Sequence, residues 1–225
     1  MVKMTLSILT FDMETGVFAA AAATGNLCVG GWVLRGDIES GIVASQGTSP
    51  STFWRDDIMR DMYEGKSSRI AIDEATNGDP GKDFRQVAAI DKNGLTAAHT
   101  GTKSVQYADH LIGPNYVISG NMLESREVLA AMEESLNESN SLTGQKLIKI
   151  LSAGAEKGGD TRGLQSAALL ILGPQKPPLD LRIDSHSSPI KALNELYETS
   201  QRVPYVNWLD EVPVLNDKTK RPQER

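Results

Sequence analysis

The sequence predicts an α+β protein built as a four-layer α-β-β-α sandwich. Two observations carry that reading. Strand-like and helix-like segments arrive in the order strands, two helices, strands, two helices, strands. Several strand segments are also apolar on both sides, so each needs cover on both faces. A doubly wound parallel sheet fits less well, because the helices come in pairs and do not follow every strand.

Thr5–Asp12 (TLSILTFD) is rich in β-branched and aromatic types. Side chains alternate along a strand, so Thr5 and Ser7 share one face while Leu6 and Ile8 share the other. Met13-Glu14-Thr15-Gly16 is a polar turn leading into Val17–Thr24. If Asp12 pairs with Val17, the register sets Thr24 opposite Thr5 and Ala22 opposite Ser7. Alanine is a poor strand former, so the run from Ala19 to Ala23 implies close packing on both faces; a helix over 17–23 is the competing reading. Residues 27–34 and 41–45 read as two more strands, with Cys28 a buried packing residue in mid-strand.

Helical spacing begins at residues 51–64, where Trp54, Ile58 and Met62 recur every four residues, and a second helix covers 69–76 before Asn77-Gly78-Asp79-Pro80. Strands at 86–91 and 95–99 are joined by Lys92-Asn93-Gly94, and a short strand covers 116–119. Two helices follow, one striped by Val128, Leu129, Met132 and Leu136, the other by Leu147, Ile148, Leu151 and Ala155. Strands at 166–172 and 179–183 and a helix at 190–199 complete a single domain over residues 1–200. Residues 201–225 read as a Pro-punctuated arm whose Tyr205 and Trp208 suggest docking.

A chain of 225 residues, 40% hydrophobic and 23% charged, has the composition of an ordinary globular domain. The net charge of −6 without a Lys/Arg cluster argues against nucleic acid as a partner. No apolar run approaches membrane-spanning length, and no signal peptide is apparent, so no membrane partner is expected. The single cysteine excludes an intrachain disulfide and makes the cytoplasm the expected compartment. His99, His110 and His186 are scattered, and neither a metal motif nor a phosphate loop is present, so neither metal nor cofactor is expected.

Several short motifs recur together: the M-T-x-S-I form at Met4–Ile8, His99-Thr100-Gly101, Gly120-Asn121, GGDTRGLQSAALLI from Gly158 to Ile171, and DLRID-x-H from Asp180 to His186. They resemble the uncharacterised bacterial domain family numbered 1028, over most of residues 5–196. That family is placed in the N-terminal-nucleophile hydrolase superfamily, which includes proteasome β-subunits. The resemblance implies the same α-β-β-α sandwich. It also implies amide hydrolysis by a Thr, Ser or Cys at the head of the first strand, whose free α-amine acts as base.

On that resemblance Thr5 is the nucleophile, exposed once residues 1–4 are removed, as would follow from a start at Met4. An α-amine titrates at about 7.7–8.0, near working pH, and supplies the base that a Thr hydroxyl lacks. Ser7, on the same face, is a second candidate that needs a separate base. Gly47, before the first long helix, matches the glycine N–H of the oxyanion site; a turn glycine is the plain alternative. Asp160 and Ser166 match the Asp and Ser beside the nucleophile, while Arg162 and Gln165 are candidates for substrate binding, as are Thr24, Gln46, His99 and Asn121. The acid expected in the second strand is replaced by alanine. Arg35 is the nearest cation after the third strand and can stabilise charge without acting as a base.

The expected function is hydrolysis of a small amide or short peptide by a homodimer or larger homo-oligomer. Two alternatives stand beside it: a catalytically inactive binding or assembly protein on the same scaffold, and a purely structural homo-oligomer.

Overall fold

The computed structural model describes residues 4–138, 143–158 and 163–222. The first hairpin forms in the expected register: β1 (Thr5–Asp12) runs antiparallel to β2 (Val17–Thr24), with Thr5 opposite Thr24, Ser7 opposite Ala22 and Asp12 opposite Val17. A short helix, α1 (Val29–Trp32), leads to β3 (Leu34–Asp37) and β4 (Gly41–Gly47). Helices α2 (Thr52–Tyr63) and α3 (Ser68–Thr76) precede β5 (Arg85–Asp91) and β6 (Thr96–Thr100). Then come β7 (Asp109–Gly113), β8 (Tyr116–Asn121), α4 (Glu127–Asn137) and α5 (Gly144–Lys157). The chain continues through β9 (Ser166–Gly173), β10 (Lys176–Ile183), α6 (Pro189–Ser200) and α7 (Tyr205–Leu209).

The strands make two antiparallel sheets, one of six strands in the order β10-β9-β2-β1-β8-β7 and one of four in the order β3-β4-β5-β6. Three apolar clusters hold them. Leu9, Phe11, Phe18, Ala20, Ala22, Ile42, Ala88 and Leu170 pack between the two sheets. Leu6, Ile8, Ala21, Met132, Leu147 and Leu193 bind the six-stranded sheet to α4, α5 and α6. Val43, Trp54, Ile58, Ala71 and Val87 bind the four-stranded sheet to α2 and α3. The alanines of β2 therefore serve both sides, alternate residues facing the second sheet and the helices. Small side chains there let both neighbours approach, which offsets alanine's poor strand propensity.

Two local readings are corrected. Residues 27–34 are not a strand: Cys28 takes a left-handed backbone (φ 60°), is half-buried, and opens α1, so β3 begins only at Leu34. The turn is imposed from outside. The Ser166 hydroxyl accepts from Val29 N–H and donates to Asn26 O, while buried Arg55 donates from Nη1 to Gly31 O and Trp32 O. The second correction is an added strand, β7, at the edge of the larger sheet, where half-exposed DHLIG carries no alternation clear enough to announce it.

Candidate active site

The inter-sheet space is apolar over most of its length and polar at one end. Each residue there follows from strand alternation: Leu9, Ala22, Val117, Ala168, Ala44, Ala88 and Ala98 face the gap, so the residues two further toward this end do too. In the larger sheet that places Ser166, Thr24, Thr5 and Asn121 in one row across β9, β2, β1 and β8. The next row inward is Ala168, Ala22, Ser7, Ser119 and His110. In the smaller sheet the matching row is Gln46, Gln86 and Thr100.

Thr5 and Thr24 are buried, their hydroxyl oxygens 2.9 Å apart. Thr24 also donates to the carbonyl oxygen of Met4 at 3.1 Å, and Gly25 N–H reaches the same oxygen at 3.1 Å. Met4 is itself buried against the helix side, so the residue preceding Thr5 is anchored at both its carbonyl and its side chain.

Across the gap, Gln46 Nε2 donates to Gln86 Oε1 at 2.7 Å, and Asn121 Nδ2 reaches that oxygen at 3.4 Å. Gln86 Nε2 in turn faces Thr100 Oγ1, Asp109 O and Gly120 O at 2.8, 3.0 and 3.1 Å. Thr100 Oγ1 lies 2.8 Å from His110 Nδ1. Burial holds His110 below the ordinary imidazole range, with nearby Asp109 pulling upward and His99 adding to the depression. Gln46 Oε1, Ser119 Oγ and Asn121 Oδ1 are buried without a hydrogen-bond partner among the described residues. An orphaned buried polar atom costs about 1–3 kcal/mol, so this cluster carries unspent capacity toward a hydrogen-bonding ligand.

The structure thus gathers Thr5, Ser7, Thr24, Gln46, Asn121 and Ser166 at one end of the gap. Ser166 turns its hydroxyl to the β2–α1 loop. Gly47 ends β4 beside Gln46 with φ +121°, and a Cβ there would meet Gln86 N and Phe84 O at 2.9 Å, so the position requires glycine. It lies ahead of the α2 N-cap, where Ser51 Oγ accepts from Trp54 N–H. Gln165 joins the edge of the row through its backbone, donating to Thr24 O and accepting from His186 N–H. Asp160 and Arg162 lie outside the described residues.

Arg35 and His99 are placed elsewhere. Arg35 pairs across the sheet with Val43, which faces the helices, and its half-exposed side chain meets Asp56 of α2 at 3.6 Å. His99 faces the same helix side, edge-on to Trp54 and with Nε2 3.2 Å from Lys82 O. Sequence reasoning passed over Gln86, Thr100, Ser119 and His110. A signal existed for the first: Gln46 and Gln86 place matching amides at the same end of two largely apolar strands, in register. For His110 there was none, because β7 itself was not visible. Among the described residues no group of three or more His, Cys, Asp or Glu side chains is placed to hold a metal ion.

Fold and site together define an α+β protein of two stacked antiparallel sheets, helices outside and a buried polar cluster at one end of the gap. The chain belongs to the family described as a family of unknown function (DUF1028), whose model matches residues 5–193. It is similar to protein SPO2555 from Silicibacter pomeroyi, of the same family, whose crystal structure superposes with a TM-score of 0.93 at 42% identity, covering 99% of this chain and 97% of that one. No curated protein matches the chain.

Proposed function

We propose that this protein is an N-terminal-nucleophile amide hydrolase of the cytoplasm, acting on a small amide or short peptide through Thr5 after residues 1–4 are removed. The observation that carries the reading is the buried row Ser166–Thr24–Thr5–Asn121 at the head of the first strand. The succession of α2/α3, the four-stranded sheet, the six-stranded sheet and α4/α5/α6 supports it as the four-layer sandwich of that superfamily.

Removal of Met4 frees the Thr5 amine and two donors, Gly25 N–H and the Thr24 hydroxyl, that now hold the Met4 carbonyl. The amine takes the Thr5 hydroxyl proton as the oxygen attacks the substrate carbonyl. The departing amine then takes that proton, and water releases the acyl group by the same route. Gly47 N–H is the proposed donor to the oxyanion. Orphaned Gln46 Oε1 and Asn121 Oδ1 offer acceptors to substrate N–H groups. The test is a chain beginning at Thr5, offered a panel of amides and dipeptides. Amine release by this chain, absent from its Thr5→Ala counterpart, is the expected result; equal activity in both rules out Thr5.

One observation favours a second reading, an inactive binding or assembly protein. Met4 is buried and its carbonyl doubly bonded, so the intact chain holds the Thr5 nitrogen in a peptide bond. The intact mass of the protein from its own cells separates the two. Loss of residues 1–4 supports catalysis; their retention supports binding.

A further inference from the structure

The Thr100–His110 pair is a hydroxyl–imidazole contact that the Thr5 reading does not use. Thr100 ends β6 in the smaller sheet and His110 sits on β7 in the larger, so the 2.8 Å contact spans the gap between the sheets. Both residues are half-buried, whereas Thr5 is buried. A nucleophile and base within about 2.6–3.2 Å, with a third group fixing their orientation, is the arrangement that activates a weak hydroxyl. Here Gln86 orients the hydroxyl and not the base: its side-chain nitrogen can only donate, and it reaches Thr100 Oγ1 at 2.8 Å. That bond leaves the Thr100 hydrogen free to point at His110 Nδ1. Gln86 is itself fully buried: its two N–H hydrogens are shared among Thr100 Oγ1, Asp109 O and Gly120 O, and its Oε1 accepts from Gln46 Nε2, so its orientation is set.

We propose that Thr100 and His110 form a second nucleophile–base pair, active in the unprocessed chain toward small activated acyl or phosphonyl compounds. Thr100 Oγ1 forms a bond to the electrophilic carbon or phosphorus while its proton passes to His110 Nδ1. The bond to the leaving group breaks, and that group departs with its electron pair, taking the proton from Nδ1 or, where it is a weak base, leaving that proton to pass to water. With an acyl compound, water then adds to the acyl-threonine as His110 removes its proton, and the acid is released with the hydroxyl restored. Gln86 is a positioning residue: its N–H occupies one lone pair of the Thr100 oxygen, leaving the other for attack while the proton faces His110. Burial disfavours the charged imidazolium of His110, against the upward pull of Asp109 and with the support of His99.

The alternative is that the pair only ties the edges of the two sheets. The experiment treats the full-length chain with a fluorophosphonate, which phosphonylates activated hydroxyls with release of fluoride, and locates the adduct by peptide mass spectrometry. The expected result is an adduct on Thr100 and none on Thr5. His110→Gln should slow its formation at least ~100-fold, the contribution of a positioned base. Absence of label from Thr100, or labelling indifferent to His110→Gln, overturns the proposal. Because these variants touch the inter-sheet network, nitrogen NMR of the unmodified protein supplies a second reading. His110 with its proton on Nε2 and a bare, hydrogen-bonded Nδ1 supports the pair, and a protonated Nδ1 near neutral pH refutes it.

Discussion

At the residue scale, His110 shows how one buried group links the site to stability. Its folded-state pKa lies below the ordinary value of about 6.5, first because burial disfavours the imidazolium. As pH falls below about 6.5 the unfolded chain takes up this proton before the folded one does. The unfolded state then binds more protons, so folding stability drops with falling pH until the folded-state pKa is passed. Asp109 opposes this shift and His99 reinforces it, while Thr100, 2.8 Å away, and Ser119, its register partner, carry no charge. Urea midpoints measured between about pH 5 and 8 should fall on acidification, and the His110→Gln protein should lose that component of the slope. An identical slope in the variant would mean that His110 titrates as it does in the unfolded chain.

At the element scale, legibility followed how local the determinants are. The β1–β2 register was readable because a four-residue polar turn and two apolar runs fix it, and α2 because Trp54, Ile58 and Met62 mark one face while Ser51 caps the start. Helix α1 was not readable. Val29-Gly30-Gly31-Trp32 has poor helix propensity, and the turn exists because Ser166, Arg55 and Arg182 close around it from distant positions. A Cβ on Gly30 or Gly31 would strike Arg182, so those glycines record a close approach that only tertiary structure reveals. The candidate site divides likewise: Thr5 and Thr24 lay on recognisable strands and Gln46 directly after one, whereas His110 needed β7. Ser166→Ala tests the dependence of α1 on its distant partner. It leaves Val29 N–H and Asn26 O without the Ser166 hydroxyl and should cost about 1–2 kcal/mol in urea unfolding. Hydrogen exchange at Val29 should accelerate more than in α2. Equal protection in variant and parent would show that α1 holds itself.

At the scale of the whole molecule, the question is where the cooperative unit ends. The last buried apolar side chain of the helix-side cluster is Leu193 of α6, and beyond Ser200 no described residue is buried. The arm nevertheless follows the body: Asn216 N–H donates to Pro174 O, and Lys218 Nζ lies 3.4 Å from Glu39. Both contacts reach the rim where Gly36–Glu39 meets the β9–β10 turn. A backbone bond and an exposed ion pair contribute little, the latter about 0–1 kcal/mol and less in salt. Meanwhile Val203 and Trp208 stay largely exposed. Most of the arm's attachment enthalpy is therefore offset by the entropy of ordering it. A chain ending at Ser200 should unfold in one transition, with stability within about 1 kcal/mol of the full chain. No helix among the described residues is long and apolar enough to cross a membrane. Loss of cooperative unfolding in the shortened chain would place the arm inside the folding unit, with the β9–β10 turn and the β3–β4 connection as the surfaces it stabilises.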